Sequence, residues 1–181
     1  IIDKSNPRHG TRLVGNGTNP VFAPTASVYD TRAGIGDKNK VETQGMSLTA
    51  EFGLSDAVTF KSISAYRDGH TDTFIDFDNT PGPVLDVPAF YDDRQFTQEF
   101  QLLFEGDRIQ GVAGLYYLDA RANGAFDTVV GLLNTTTLTS GTVKTKSYAA
   151  FADVSFDITE QLKLSGGLRY TKDDKTGTVF R

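Results

Sequence analysis

Acidic side chains and two histidines are the residues of this sequence whose types are best suited to chemistry. Asp72, Asp76 and Asp78 follow one another at short intervals, and clustered carboxylate oxygens are the ligands that calcium prefers. Their spacing matches no known calcium motif, and carboxylates at alternate positions are natural in an extended strand. His9 and His70 stand far apart, and neither has neighbouring residues at a metal-binding spacing. The pattern therefore predicts no metal site.

A catalytic centre is not indicated either. The sequence contains two histidines and no cysteine, so it offers no supported Ser/His/Asp arrangement and no thiolate. The stretch "GNGTNP" near Gly15 lacks the Lys-Ser/Thr ending of a phosphate-binding loop. We expect neither an enzyme nor a cofactor. The net charge of −5 argues against a nucleic-acid partner, because such a partner requires a basic surface.

Alternating side chains show which elements must position any functional residues. Residues 147–158 read "SYAAFADVSFDI", in which one parity is wholly apolar and the other is mostly polar. Because side chains alternate across a strand, this segment has one apolar and one polar face. The segments "GMSLTAEFGL", "RQFTQEFQLLF" and "LKLSGGLRYTKDDK" alternate in the same way. In two further strands the faces stay open, since Ile63 breaks the alternation of one and "GVAGLYYL" is apolar on both parities of the other.

The six predicted strands fall into three hairpins. Tight turns are expected near residues 55–56, 105–107 and 159–161, whereas the stretches 78–93 and 127–142 read as long polar connections. Short turns on one side and long loops on the other are typical of outer-membrane barrels. Residues 1–41 read as a polar loop or lead-in segment, and residues 42–181 read as a partial β-barrel domain of three hairpins.

Two environments would stabilise a strand with one apolar and one polar face: the core of a soluble β-sandwich, or the wall of a barrel with lipid outside and a water-filled lumen inside. Three observations favour lipid. The strands reach the length of about 9–11 residues that crosses a bilayer at a tilt, charged residues avoid the apolar faces of the first, fifth and sixth strands, and aromatic residues stand near strand ends. These aromatic residues are Phe52, Tyr66, Phe104, Tyr148, Phe156 and Tyr170.

The predicted fold class is therefore all-β, with about six strands in an antiparallel up-and-down meander. No stretch approaches 18 consecutive apolar residues, so a transmembrane helix is not expected. A closed membrane barrel needs at least about eight strands. The chain is thus predicted to be an arc of a larger transmembrane barrel.

Three hairpins in order resemble those of TonB-dependent outer-membrane receptors. The first two read "SLTAEFGLSDAVTFKSISAYRDG" and "FTQEFQLLFEGDRIQGVAGLYYLDARANG". The third, "KTKSYAAFADVSFDITEQLKLSGGLRYTKDDKTG", is similar to a family hairpin at nine positions. These are Ser147, Ala149, Phe151, Thr159, Leu162, Leu164, Gly167, Arg169 and Tyr170. The resemblance covers about residues 42–178.

The resemblance implies a barrel of about 22 strands in the outer membrane of a Gram-negative bacterium, with a plug domain inside it. Such receptors import siderophores, cobalamin, haem or oligosaccharides, using energy delivered by the TonB–ExbB–ExbD complex. The sequence shows no plug and no recognisable TonB box, so we expect a fragment whose partners are outer-membrane lipid, its own plug domain, that complex and a nutrient ligand. Two alternatives stay open: a passive porin-type channel and a secreted β-sandwich that binds carbohydrate or protein.

Two groups of residues are candidates for function on this interpretation. The polar parity supplies candidates for lining the lumen, where the alternative is that their charges merely pair across strands. These residues are Glu99, Gln101, Asp153, Asp157, Lys163 and Arg169. The predicted loops supply aromatic residues that are candidates for stacking on a sugar or an aromatic siderophore, where the alternative is that they pin the loops together. These residues are Phe22, Tyr29, Phe90 and Tyr91.

Overall fold

A computed structural model describes residues 14–15, 19–20, 33–36, 39–78 and 80–181. A short pair, β1 (Val14–Gly15) and β2 (Asn19–Pro20), precedes one large antiparallel sheet. The strands of that sheet are β3 (Lys40–Ser55), β4 (Val58–Asp76), β5 (Asp86–Glu105), β6 (Ile109–Val130), β7 (Thr135–Thr159) and β8 (Leu162–Phe180). Their order in space follows their order in sequence, so the predicted six-stranded antiparallel meander is confirmed. The predicted lead-in of residues 1–41 lies mostly outside the described residues and stays a prediction.

The connections between strands are shorter than the sequence predicted. β5 already begins at Asp86, and β6 and β7 are separated by a three-residue 3-10 helix, Gly131–Leu133, followed by Asn134. The long loops expected at 78–93 and 127–142 are therefore wrong, because much of each stretch is paired strand. In the second stretch Thr and Val are frequent, and these β-branched residues favour strands even where both faces are polar. Among the described residues, no helix is both long enough and apolar enough to cross a membrane.

Strand register assigns every paired residue to a face, because residues directly opposite each other share one. One row of the first face, which we name the apolar face, contains Phe52, Phe60, Leu102, Ala113, Ala152 and Leu168. The adjacent row of the opposite face, named the polar face, contains Glu51, Lys61, Gln101, Gly114, Phe151 and Arg169.

The register also settles the two strands whose faces the sequence left open. Ile63 lies on the polar face of β4, opposite Thr49 and Glu99. On β6, Leu115 lies on the apolar face and its neighbour Tyr116 lies on the polar face.

The sheet is one layer thick and has almost no interior. The buried hydrophobic residues in the described part of the chain are Ala89 and Ala149 alone. Large side chains of the apolar face are exposed instead, and Met46 and Leu168 keep 76% and 80% of their accessible surface. In a β-sandwich a second sheet would cover such residues, and the described residues form no such layer. The apolar face therefore needs an apolar surrounding that the described residues do not supply.

Apolar residues on this face are confined to a belt of nearly constant length. The belt covers residues 46–54, 58–66, 96–104, 109–117, 148–158 and 162–170 of the six strands. Each segment has the length of about 9–11 residues that crosses a bilayer at a tilt. Aromatic residues mark its ends, with Tyr66, Tyr148 and Tyr170 towards the longer connections and Phe104 and Phe156 towards the tight turns. This placement matches the two interfacial girdles of a membrane barrel.

The belt is displaced along the strands from one edge of the sheet to the other. We call the end of the belt towards the longer connections its outer end. On β3, β4 and β5 the outer-end residues Met46, Tyr66 and Phe96 share a row with Lys146 of β7. On β8 the outer-end residue Tyr170 lies opposite Ala150 of β7, four residues further along that strand. At about 3.3 Å per residue and about 4.8 Å per strand, this displacement is about 13 Å over about 24 Å. It corresponds to strands tilted by about 30° from the normal of the belt, close to the tilt of about 35–45° in membrane barrels.

Three polar side chains interrupt the apolar belt. The hydroxyl of Ser64 donates to Oε1 of Gln98 over 2.5 Å, and Nε2 of Gln98 donates to Oγ of Ser62 over 3.1 Å. In lipid an unsatisfied polar group costs several kcal/mol. The three side chains therefore satisfy one another where the surroundings offer no partner.

Leu102 and Leu103 provide a matched test of the two faces. Leu102 lies on the apolar face, 45% exposed, and Leu103 points to the polar face between Thr59 and Val112. We expect Leu102→Lys to lower the unfolding free energy of the protein by about 1–3 kcal/mol, because a charge must enter hydrocarbon between its midplane and its interface. Leu103→Lys should cost much less. Denaturant titration of the protein refolded into lipid vesicles measures both values, and equal losses would contradict the assignment of faces.

Candidate functional site

All six residues predicted to line a lumen lie on the polar face. Gln101 and Arg169 share a row near the middle of the sheet, and Glu99 belongs to the next row. Asp153 lies one row nearer the tight turns, and Asp157 and Lys163 lie opposite each other at that end of the sheet. The structure thus distributes the candidates along one wall and does not gather them into a pocket. Their role in lining a lumen stays a prediction.

Arg169 makes the most elaborate contact on the polar face. Its guanidinium carbon lies 5.5 Å from the ring centre of Tyr116 and 5.6 Å from that of Phe151, and its Nε donates to the hydroxyl of Thr171 over 3.1 Å. A cation over an aromatic ring is attracted by the negative face of the ring. Three successive strands, β6, β7 and β8, are thereby tied together at one place on the polar face.

Gly114 leaves room for this arrangement. A Cβ atom at this position would lie 2.7 Å from Cε1 of Phe151 and 2.8 Å from the carbonyl oxygen of Phe100. The ring of Phe151 therefore covers the glycine, a pairing that also protects the backbone of glycines in sheets. Sequence reasoning missed Tyr116 and Phe151 as partners of Arg169. The signal available in the sequence was Gly114 in "GVAGLYYL", which the register places opposite Phe151.

Several other charges of the polar face are paired with neighbours. Nζ of Lys61 lies 2.6 Å from Oε1 of Glu51, and Nζ of Lys163 lies 3.4 Å from Oδ1 of Asp157. Nε2 of Gln101 donates to Oε1 of Glu99 over 2.5 Å. Exposed ion pairs contribute only about 0–1 kcal/mol each. These pairs keep the wall wettable, and they add little to its stability.

Cysteine labelling tests the exposure of the polar face directly, since the sequence contains no cysteine of its own. In a receptor with no other cysteine, we expect Glu99→Cys and Arg169→Cys to react with a membrane-impermeant maleimide. Their neighbours Phe100→Cys and Leu168→Cys, inside the belt on the apolar face, should not react in lipid, because the reagent and the thiolate both require water. Labelling after denaturation controls for thiol content. Faster labelling at positions 100 and 168 would reverse the two faces.

Beyond the belt the same face of the sheet becomes polar. The row after Met46, Tyr66 and Phe96 contains Gln44, Asp68, Arg94, Arg121, Lys144 and Thr176. Nε2 of Gln44 donates to Asp68 over 3.1 Å, and Nε of Arg121 donates to Asn123 over 3.0 Å. The strands therefore continue out of the hydrocarbon layer into a region with water on both faces.

Phe90 and Tyr91 lie in this outer region, on β5. The structure corrects their assignment to a loop and shows that they point to opposite faces. Phe90 packs edge-on against Phe74, with ring centres 6.2 Å apart. Tyr91 lies on the polar face and its ring covers Gly124, where a Cβ atom would come within 3.1 Å of Cδ1 of Tyr91. One ligand cannot stack on both rings from one side of the sheet.

The other two aromatic candidates, Phe22 and Tyr29, lie outside the described residues. Their contact with a ligand stays a prediction.

His70 bridges two aspartate side chains, Asp72 and Asp92, in the same outer region. Its Nδ1 lies 2.7 Å from Oδ1 of Asp92 on β5, and its Nε2 lies 3.0 Å from Oδ1 of Asp72. The hydrogen bond with Asp92 raises the pKa of His70 above its ordinary value, and the negative charges of Asp72 and Asp92 add to the increase. The imidazolium form therefore links β4 to β5.

The bridge should depend on pH in one direction. Because the folded-state pKa of His70 is raised, the bridge contributes fully below about pH 6.5, the ordinary value. The contribution is lost as pH rises through the raised pKa. Asp92→Asn should bring the pKa of His70 back towards about 6.5, whereas Asp93→Asn, a change on the opposite face, should leave it higher. An NMR titration measures this pKa, and a value at or below about 6.5 in the unmodified protein would contradict the bridge.

Comparison with known proteins places this two-faced sheet in a family. The family model described as TonB dependent receptor-like, beta-barrel matches residues 3–181. No curated protein matches the chain. Among solved structures, the crystal structure of the ferric yersiniabactin uptake receptor FyuA from Yersinia pestis is similar, with a TM-score of 0.68 and 21% sequence identity.

The matched region covers 80% of this chain and 23% of that structure, and at this identity the likeness shows the fold alone. The fold is thus an arc of a larger β-barrel, as the sequence predicted. TonB-dependent receptors are transporters and not enzymes, which agrees with the expectation of no catalytic site. The chain belongs to the TonB-dependent receptor family, of whose β-barrel it forms six strands.

Proposed function

We propose that this chain is part of a transporter that takes up a bulky nutrient across the outer membrane of a Gram-negative bacterium. The observation that carries this proposal is the tilted apolar belt, about 9–11 residues long on every strand, behind which lies a continuous polar face. A one-layer sheet of this kind is stable only where lipid covers one face and water wets the other. Those conditions exist in the wall of a water-filled barrel.

The polar face is suited to contact with a plug domain or a passing solute. It presents charged groups of both signs along its length, and many of them are half-exposed or exposed. Arg169 keeps donors beyond its bond to Thr171, since a guanidinium carries five N–H groups. The plug, on this proposal, lies outside residues 1–181 and fills the lumen next to this wall.

The energy for uptake, on the same proposal, comes from the inner-membrane proton gradient through the TonB–ExbB–ExbD complex. This coupling is what membership of the family implies. It distinguishes the receptor from a porin-type channel, in which a solute moves down its own gradient.

The candidate solutes are a siderophore, cobalamin or an oligosaccharide-type nutrient. The similar solved structure is a receptor for uptake of ferric yersiniabactin, so a ferric siderophore is the first solute to test. Tyr91 on the polar face and the row of Arg67, Gln95 and Lys175 beside the outer end of the belt supply aromatic and cationic groups for an anionic chelate.

Uptake in matched strains tests the proposed function. We expect cells that express the full-length receptor to accumulate an iron-labelled siderophore, and deletion of TonB should reduce accumulation to the level of cells without the receptor. Binding of the siderophore to the cell surface should persist in the TonB deletion, which shows that the receptor is still present and folded. A proton-gradient uncoupler is the second control, and it should act like the deletion. Accumulation that continues without TonB would support the passive channel instead.

A further inference from the structure

The connection between β4 and β5 brings three carboxylates together. Asp76, the last residue of β4, stands directly opposite Asp86, the first residue of β5, and Asp78 lies in the loop between them. One carboxylate oxygen from each residue lies within 4.8 Å of the other two. Like charges directly opposite each other across a strand pair are destabilising. A cation bound among the three carboxylates would reduce this repulsion.

Asp86 gives the cluster a feature that exposed acidic residues lack. Only 5% of its surface is accessible, and its Oδ1 is the one buried side-chain oxygen in the described residues without a hydrogen-bond partner. A buried carboxylate without a partner is costly, and buried polar groups are nearly always bonded. A cation bound among the three carboxylates would give this oxygen a partner.

The other two carboxylates are fixed in place by backbone donors. Oδ2 of Asp78 accepts a hydrogen bond from the amide of Leu85 over 2.6 Å, and its Oδ1 accepts bonds from the amide and the hydroxyl of Thr80. Burial opposes ionisation of Asp78, but these bonds outweigh it and lower its pKa. Asp76 accepts bonds from the amides of Gly34, over 2.8 Å, and of Asp78, over 3.0 Å. The loop is therefore organised around its acidic oxygens.

We propose that Asp76, Asp78 and Asp86 bind a calcium ion. An all-oxygen, carboxylate-rich site suits a hard cation such as calcium or magnesium. Calcium–oxygen distances of about 2.3–2.6 Å place ligand oxygens up to about 5 Å apart around one ion, which accommodates oxygens that lie within 4.8 Å of one another. Magnesium usually keeps several of its waters and binds through one or two carboxylates, so a site of three carboxylates suits calcium better.

The three ligands come from parts of the chain that the sequence pattern could not join. Asp72, Asp76 and Asp78 stand close together in the sequence, but Asp72 pairs with His70 and is not part of the cluster. The third carboxylate of the cluster is Asp86, which lies across the hairpin on β5. A calcium ion here would tie the ends of β4 and β5 to their loop. The loop also contacts the next connection, because the amide of Gly131 donates to the carbonyl of Val84 over 3.2 Å. This site goes beyond the proposed transport and does not depend on it.

Calorimetry on the detergent-purified, chelator-treated receptor tests the site, with calcium chloride as the titrant. We expect one calcium ion to bind per receptor with a dissociation constant of about 10⁻⁴–10⁻³ M, as in extracellular modules. This binding should depend on Asp86. Asp86→Asn should weaken that binding by at least about tenfold. Asp107→Asn, the same change in an exposed turn at the other end of the sheet, should leave it unaltered. Magnesium chloride should bind more weakly than calcium chloride.

Thermal unfolding supplies a second measurement. Without calcium, Asp86→Asn should unfold at a higher temperature than the unmodified receptor, because it removes a buried charge from a repulsive cluster. With calcium, the unmodified receptor should gain stability while the variant gains none. Asp76→Asn, at the neighbouring strand end, should show the same loss of response.

Two results would overturn the calcium site, and a third would overturn its selectivity. No calcium-dependent heat and no thermal shift in the unmodified receptor would mean that Asp86 holds a proton instead of a cation. Calcium binding of equal strength in Asp86→Asn would place the ion elsewhere. Magnesium binding as tight as calcium binding would rule out the proposed selectivity.

Discussion

The fold depends on one constraint: a backbone polar group inside a bilayer must find its hydrogen-bond partner within protein. Each unsatisfied group costs several kcal/mol in hydrocarbon. Within the belt, β4, β5, β6 and β7 meet this constraint on both sides through antiparallel pairing, interrupted by register shifts between Gly53 and Ser55 and between Asp157 and Thr159, next to the tight turns. β3 and β8 each have one edge without a partner strand among the described residues. The belt at these two edges requires further strands, which is why an arc of six strands reads as part of a closed wall.

Pairing every strand fixes both faces at once, and the chemistry of each face follows from its surroundings. On the apolar face, Ser62, Ser64 and Gln98 satisfy one another because lipid offers them nothing. On the polar face, water is available, and exposed pairs such as Lys61 with Glu51 are correspondingly weak. Arg169 between two rings shows the intermediate case, in which a cation keeps its contact with water and still packs.

The sequence predicted those parts of the fold in which one face differs from the other. Alternation identified the faces of β3, β5, β7 and β8 because lipid and water select opposite side chains at successive positions. It could not assign β6, where Tyr116 is needed on the polar face as a partner of Arg169. It also mistook the outer ends of β5, β6 and β7 for loops, since a strand with water on both faces has no reason to alternate. The sequence pattern did not indicate Asp86 as a ligand of the proposed calcium ion, because only the strand register brings it opposite Asp76.

The two parts of each long strand are therefore stabilised by different means. Within the belt, a broken backbone hydrogen bond has no alternative partner in lipid, so opening the pairing costs several kcal/mol and the strands stay paired. Beyond the belt, water competes for every hydrogen bond, and the strands rely on contacts such as the His70 bridge and the loop bonds of Asp78. Local opening costs least where few apolar contacts must be broken. The outer ends are consequently the part of this sheet that a ligand can reorganise while the wall in the membrane stays intact.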